Sequence, residues 1–205
     1  MKNLDEMANR MQIRLDEKDT VREIAIKSSR AVNRLSSGIV HAIHRREEVG
    51  DLYSEALDEV HRLRSLLDDY PDIWSSGLVG DALAEMAEAS ILMSVADGRD
   101  LPDPDELNIP MGAYLMGFAD SIGELRRFSL EALRSGDIDA ATEYLEMMED
   151  MFMVLMRFDY PDALVAIRRK QDIARSVLEK TRGEVAVAVN SKQLQDRIVE
   201  LFRKL

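Results

Sequence analysis

Apolar side chains recur at helical spacing along almost the whole chain, and alternation of apolar and polar residues dominates no stretch of it. This pattern disfavours sheet-based folds and predicts an all-α bundle of about seven helices. With 205 residues and 46% hydrophobic side chains, the chain can bury one substantial core. Residues 1–205 are therefore predicted to form a single helical domain.

Local signals predict where the helices begin. Thr20 and Glu23 have the spacing of a capping box, in which hydroxyl and carboxylate satisfy free backbone donors, so a long helix is predicted from Thr20 to about His44. Further helices are predicted over residues 48–67, 78–95, 110–135, 138–158 and 162–182.

Glycines are given different roles by their surroundings. Gly77 and Gly80 precede an apolar helix and are expected to allow close approach between helices. Gly183 follows a basic segment and is expected to end the helix over 162–182. A separate short amphipathic helix is then expected from Ser191.

Charge is unevenly distributed along the chain. Residues 51–150 hold 24 Asp and Glu against 6 Lys and Arg, whereas residues 1–50 hold 8 against 10 and residues 151–205 hold 7 against 11. The net charge of −12 alone would argue against a nucleic-acid partner, but the basic ends leave such a partner open. Solvated helix faces explain the same distribution equally well.

The chain has no cysteine, which excludes disulfides, thiolate metal sites and thiol nucleophiles. No run of 18 apolar residues occurs, and the first ten residues contain no apolar core of a secretory signal. No membrane association and a cytoplasmic location are therefore expected.

Two acidic pairs are the candidates for chemistry. Glu85 and Glu88 are three residues apart on one predicted helix, and Asp120 and Glu124 are four apart on another. Each pair therefore lies on one helix face, and facing pairs would form a four-carboxylate site for a hard divalent cation such as Mg²⁺. The small residues beside the second pair, Ala113 and Gly117, are expected to leave room for a ligand. Ordinary solvated acids remain the alternative, because the chain has 39 carboxylates.

Four short runs between residues 112 and 139 form a distinctive signature. They are Tyr114-Leu115-Met116-Gly117, Ala119-Asp120, Gly123-Glu124-Leu125-Arg126-Arg127 and Ser135-Gly136-Asp137-Ile138-Asp139. This signature resembles that of the translin/TRAX family and is most similar to its TRAX (translin-associated factor X) branch. The likeness extends in outline from Thr20 to Gly183.

The resemblance implies a seven-helix subunit of an octameric barrel that encloses RNA, and a Mg²⁺-dependent endoribonuclease activity. It assigns the Glu-x-x-Glu of the middle helix to Glu85 and Glu88, and the Asp-x-x-x-Glu of the signature to Asp120 and Glu124. A shorter loop over 97–110 and the missing basic nuclear-targeting extension are departures from TRAX, so a homo-octamer is expected rather than a complex with a separate translin.

The resulting hypothesis is a nuclease in which Glu85, Glu88, Asp120 and Glu124 hold one or two Mg²⁺ or Mn²⁺ ions. These ions activate a water molecule for attack on a phosphodiester bond of single- or double-stranded RNA. Basic side chains are expected to contact the RNA backbone. The candidates are Arg22, Arg30, Arg34, Arg126, Arg127, Arg169 and Lys170. Surface or intersubunit ion pairs are the alternative role for each.

Two other functions stay open. A non-catalytic, translin-like RNA-binding oligomer would bind RNA without cleaving it. An all-α nucleoside triphosphate pyrophosphohydrolase also uses paired helical acids to hold Mg²⁺, and it would release pyrophosphate from nucleotides.

Overall fold

Seven helices and no strand are found in residues 3–204, the part of the chain that the computed structural model describes. The helices are α1 (Leu4–His44), α2 (Gly50–Leu66), α3 (Pro71–Trp74), α4 (Gly77–Ala96), α5 (Met111–Ser135), α6 (Ile138–Leu155) and α7 (Arg168–Arg203). The predicted all-α architecture is confirmed. None of the helices in the described range combines the length and apolar character needed to cross a membrane.

Internal contacts divide the chain into two compact units, Met1–Gly117 and Phe118–Leu205. The boundary falls inside α5, so the first turns of this helix belong to the first unit and the remainder to the second. The single-domain organisation stays a prediction.

The first unit is built around α4. This helix buries residues on almost every side, with Leu83, Met86 and Leu92 completely inaccessible, as expected for a helix that is apolar all round. The α1 and α2 helices pack on it and on each other. Along α1, Ala25, Val32 and Ile39 recur every seven residues and are fully buried, which makes this stripe the packing face.

The second unit joins α6 to α7. On α6, Met148 and Leu155 are fully buried, whereas Met153 is 66% exposed, so the methionine-rich segment is core on one face only. The Gln171 side-chain amide of α7 donates hydrogen bonds to the carbonyls of Leu155 at 2.9 Å and Phe158 at 3.0 Å. These bonds satisfy backbone acceptors that the end of α6 leaves without helical partners.

The junction between α5 and α6 lies where the glycine and the aspartate in the sequence predict it. Gly136 adopts a left-handed φ of 82°, which glycine allows at little steric cost, and the chain leaves α5 there. The Asp137 carboxylate then accepts a hydrogen bond from the Ala140 backbone N–H at 3.0 Å and caps α6. The predicted end of α5 at this point is confirmed.

Four predicted helix boundaries are wrong, and one of them is the start at residue 162, because α7 begins at Arg168. Thr20 starts no helix, because α1 runs from Leu4 to His44 and the Thr20 hydroxyl donates to the Asp16 carbonyl at 2.9 Å inside it. Gly183 ends no helix, because α7 continues to Arg203 with Val185 buried beyond the glycine. The separate helix from Ser191 is part of α7.

The roles expected for Gly77 and Gly80 are also wrong. Among residues 3–204, a Cβ atom added at either position would meet nothing within 4 Å, so neither glycine brings two helices of this part of the chain together. Both lie near the start of α4, where the backbone is open on that side.

Candidate carboxylate site

The first acidic pair lies on α4, at the edge of its buried face. Glu88 is half-buried and Glu85 is exposed, while Ala84 and Ala87, the residues that directly precede each of them, are buried. The three-residue spacing places both carboxylates on neighbouring positions of one helix surface, as predicted. Small alanine side chains around them let another backbone come close to this turn of α4.

The start of α5 makes that close approach through Gly117. A Cβ atom at this position would lie 2.2 Å from the Ala84 carbonyl oxygen, 2.8 Å from the Glu88 backbone nitrogen and 2.9 Å from the Ala87 Cβ. Gly117 therefore packs directly on the turn of α4 that carries Glu85 and Glu88. The prediction that Gly117 leaves room for a ligand is wrong, because the α4 backbone fills that space.

Tyr114 fixes the segment that leads into this contact. Its hydroxyl donates a hydrogen bond to the Pro102 carbonyl at 2.7 Å and so ties the first turn of α5 to the preceding loop. Burial raises the pKa of the Tyr114 phenol, and the negative charges of Asp103 and Glu106 raise it further. The phenol therefore stays protonated and keeps donating well above neutral pH.

The second acidic pair belongs to the part of α5 in the second unit. Asp120 and Glu124 are half-buried and four residues apart, so they share one side of the helix. The Lys170 ammonium of α7 donates to both Asp120 carboxylate oxygens, at 2.5 and 2.6 Å. Glu124 lies 3.7 Å from the Arg127 guanidinium on the next turn. Both predicted ligands on α5 are thus paired with cations.

The basic residues predicted to contact RNA fall into two groups. Five are exposed on the described surface and available to a polyanion: Arg22, Arg30, Arg34, Arg127 and Arg169. Arg126 and Lys170 are half-buried and hold carboxylates on other helices of the second unit. The pairing of Lys170 with Asp120 was not foreseen from the sequence, because fifty residues separate them.

Arg126 links α5 to α7. Its guanidinium donates two parallel hydrogen bonds to Glu184, at 2.7 and 2.9 Å, and a third to the Thr181 hydroxyl at 2.8 Å. The side chain is 21% exposed, so the bidentate pair is partly shielded from solvent. This geometry gives Arg126 a structural role inside the second unit.

Arg126→Leu is expected to lower the free energy of unfolding by about 1.5 kcal/mol, because it removes three charge-assisted hydrogen bonds from a partly buried position. Arg127→Leu is the matched control on the same helix. Arg127 is 55% exposed and its pair with Glu124 is long, so a change below about 0.5 kcal/mol is expected. Urea unfolding followed by circular dichroism compares the two, and equal losses would contradict the structural role of Arg126.

The donor set suits a hard divalent cation. Its predicted members offer only carboxylate oxygens, and Mg²⁺ is usually held by one or two carboxylates together with waters and substrate phosphates. Within residues 3–204, no three His, Asp or Glu side chains are gathered as metal ligands. Each unit supplies one pair, and at Asp120 the carboxylate already accommodates a cation, the Lys170 ammonium. The oxygen donors of each pair therefore suit the chemistry of the predicted metal, and the four-carboxylate site stays a prediction.

Comparison with known proteins identifies relatives over most of the chain. The model of the translin family matches residues 74–184, which include all four predicted carboxylates. An uncharacterized protein of Methanocaldococcus jannaschii is 34% identical over 188 residues, an alignment that covers 90% of this chain and 83% of that protein.

Solved structures match the fold at similar coverage. The crystal structure of AfC3PO has a TM-score of 0.74 and 31% identity, covering 91% of this chain and 99% of that one. A complex of AfC3PO with duplex RNA has a TM-score of 0.76 and 28% identity, covering 91% of this chain and 98% of that one. Apo-NeC3PO, at 21% identity and a TM-score of 0.77 over 92% and 98% of the two chains, shares the fold.

Proposed function

Because this chain belongs to the translin family, we propose that it is a metal-dependent endoribonuclease of the TRAX type, which cleaves RNA phosphodiester bonds. Two acidic pairs on α4 and α5 carry this proposal: Glu85 and Glu88 on the turn that Gly117 contacts, and Asp120 and Glu124 in the turns of α5 that follow Gly117. The complex of AfC3PO with duplex RNA supports RNA as the ligand.

In this proposal the four carboxylates hold one or two Mg²⁺ or Mn²⁺ ions. Such ions, when bound, lower the pKa of a coordinated water and stabilise charge on the phosphate. Carboxylates three or four residues apart on a helix repel each other, and a bound divalent ion would offset that repulsion. The acids thus supply a cation site, while the basic residues supply affinity for the RNA backbone.

Exposed arginines give the chain a phosphate-binding surface despite its net charge of −12. Arg22, Arg30 and Arg34 are spaced by eight and four residues on α1, which places them along one side of the helix. Arg169 lies near the start of α7 and forms no ion pair within residues 3–204. These side chains are proposed to steer and position RNA, and the affinity is expected to fall steeply with salt.

The proposal includes a homo-octameric barrel in the cytoplasm. Large apolar side chains are exposed near both ends of the chain, including Met11 and Leu15 on α1 and Leu194, Leu201 and Phe202 on α7. Apolar patches of this kind commonly mark contacts between protein chains. Light scattering of the purified protein measures the number of subunits.

The decisive experiment incubates labelled single- and double-stranded RNA with the protein and Mg²⁺, Mn²⁺ or EDTA. Internal cleavage is expected with either metal, none with EDTA, and none with Glu124→Gln. RNA binding with a steep salt dependence but without cleavage would instead identify a non-catalytic RNA-binding oligomer. Release of pyrophosphate from nucleoside triphosphates would identify the pyrophosphohydrolase alternative.

A further inference from the structure

The ion pair between Lys170 and Asp120 differs from the others near the start of α7. Both carboxylate oxygens accept from one ammonium at 2.5 and 2.6 Å, and the side chains are only 28% and 38% exposed. The neighbouring pair of Arg168 and Asp159 is longer, at 3.3 Å, and both its side chains are mostly exposed. Lys170 is therefore the cation that holds Asp120, one of the two predicted metal ligands on α5.

The helix geometry gives no reason for a cation at this place. Arg168, Arg169 and Lys170 are the first three residues of α7, and no acid occurs in that first turn. Positive charge at a helix N-terminus is disfavoured, because the backbone N–H groups already carry partial positive charge there. Asp120 offsets that cost only while it remains the partner of Lys170.

Resting on the proposed nuclease function, we propose that Lys170 is a built-in counter-cation, which holds Asp120 before metal loading and contacts an RNA phosphate afterwards. Two cations close to one carboxylate repel each other, so metal binding at Asp120 weakens the hold on Lys170. The released ammonium stays tethered to α7, beside the exposed guanidinium of Arg169. Loading with metal thereby adds one phosphate-binding charge to the RNA surface.

The first test measures Mn²⁺ affinity by calorimetry on the full-length protein without RNA. Lys170→Met removes the competing charge, so Mn²⁺ is expected to bind about five-fold more tightly, the change that a partly exposed ion pair is worth. Arg168→Met is the matched control, because it removes the same charge from the same turn but frees the exposed Asp159. Its Mn²⁺ affinity is expected to equal that of the wild type. Lys170→Gln is expected to tighten Mn²⁺ binding to the same extent as Lys170→Met, and it replaces that variant in the test if the methionine variant does not fold.

The second test measures binding of labelled duplex RNA over a range of KCl concentrations, with Ca²⁺ or with EDTA. In Ca²⁺, Lys170→Met is expected to reduce the slope of log K against log salt by about 0.9, the value of one phosphate contact. In EDTA the slope for Lys170→Met is expected to equal that of the wild type, because in the wild type without metal Asp120 still holds Lys170 and no phosphate contact is lost.

Unchanged or weaker Mn²⁺ binding in both Lys170 variants would overturn the inference, and weaker binding would identify Lys170 as a residue that orients Asp120 for the metal. Equal slopes in Ca²⁺ would overturn the phosphate contact. Absence of metal binding in every variant, the wild type included, would overturn the proposed nuclease together with this inference, so the two failures are distinguishable.

Discussion

Gly117→Ala is expected to lower the free energy of unfolding by about 3 kcal/mol, at the upper end of ordinary overpacking costs. The added Cβ would lie 2.2 Å from the Ala84 carbonyl oxygen, whereas a carbon–oxygen contact is normally about 3.3 Å or longer. The obstructing atom is backbone, so no side-chain rotation relieves the overlap. The turn of α4 carrying Glu85 and Glu88 would have to move, and urea unfolding followed at 222 nm measures the loss.

Gly123→Ala is the control for this prediction. Gly123 lies on the same helix, and a Cβ atom there would meet nothing within 4 Å in the described part of the chain. Alanine is the better helix former by about 1 kcal/mol, so this variant is expected to match or exceed the stability of the wild type. Equal effects of the two substitutions would show that the contact of Gly117 with α4 is not tight in solution.

Asp120→Asn and Glu88→Gln are each expected to reduce RNA cleavage on the order of 10³-fold. The RNA affinity of Glu88→Gln is expected to change by less than about three-fold, whereas that of Asp120→Asn is expected to rise, because this variant releases Lys170. Each amide keeps nearly the volume of the acid and removes the charge that attracts a divalent ion. The two residues lie on different helices, so loss of activity in both would tie α4 and α5 to the same reaction. Single-turnover cleavage of labelled RNA, with binding measured separately in EDTA, distinguishes the two effects.

Asp150→Asn is the matched control for these variants. Asp150 is exposed on α6 and belongs to neither acidic pair, so wild-type cleavage is expected. Asp120→Asn also takes the charge partner from Lys170, and its thermal unfolding must be compared with that of Glu88→Gln. Cleavage within ten-fold of wild type in both folded variants would place the catalytic carboxylates elsewhere.

Sequence signals failed where packing outweighed a local preference. The spacing of Thr20 and Glu23 fits a helix start, but thirteen residues earlier Met7 already lies in α1 and the helix is continuous. A glycine inside a helix costs about 1 kcal/mol relative to alanine. At Gly183 this cost does not end α7, because Leu178 and Val185 are buried on either side of it. Buried contacts on both sides of the glycine hold the helix together.

The sequence by itself determined the helical class and which acids share a helix face, because apolar periodicity and spacing within one helix are local properties. The signature between residues 112 and 139 indicated the family through its resemblance to known members. Only the tertiary structure decided which charges meet. The partner of Asp120 is fifty residues away on α7, and Glu184 is fifty-eight residues from Arg126. The tertiary structure also decided that Gly117 packs on α4 instead of leaving a ligand cavity. Such contacts depend on how the helices pack, and helical spacing sets only which residues share a face of one helix.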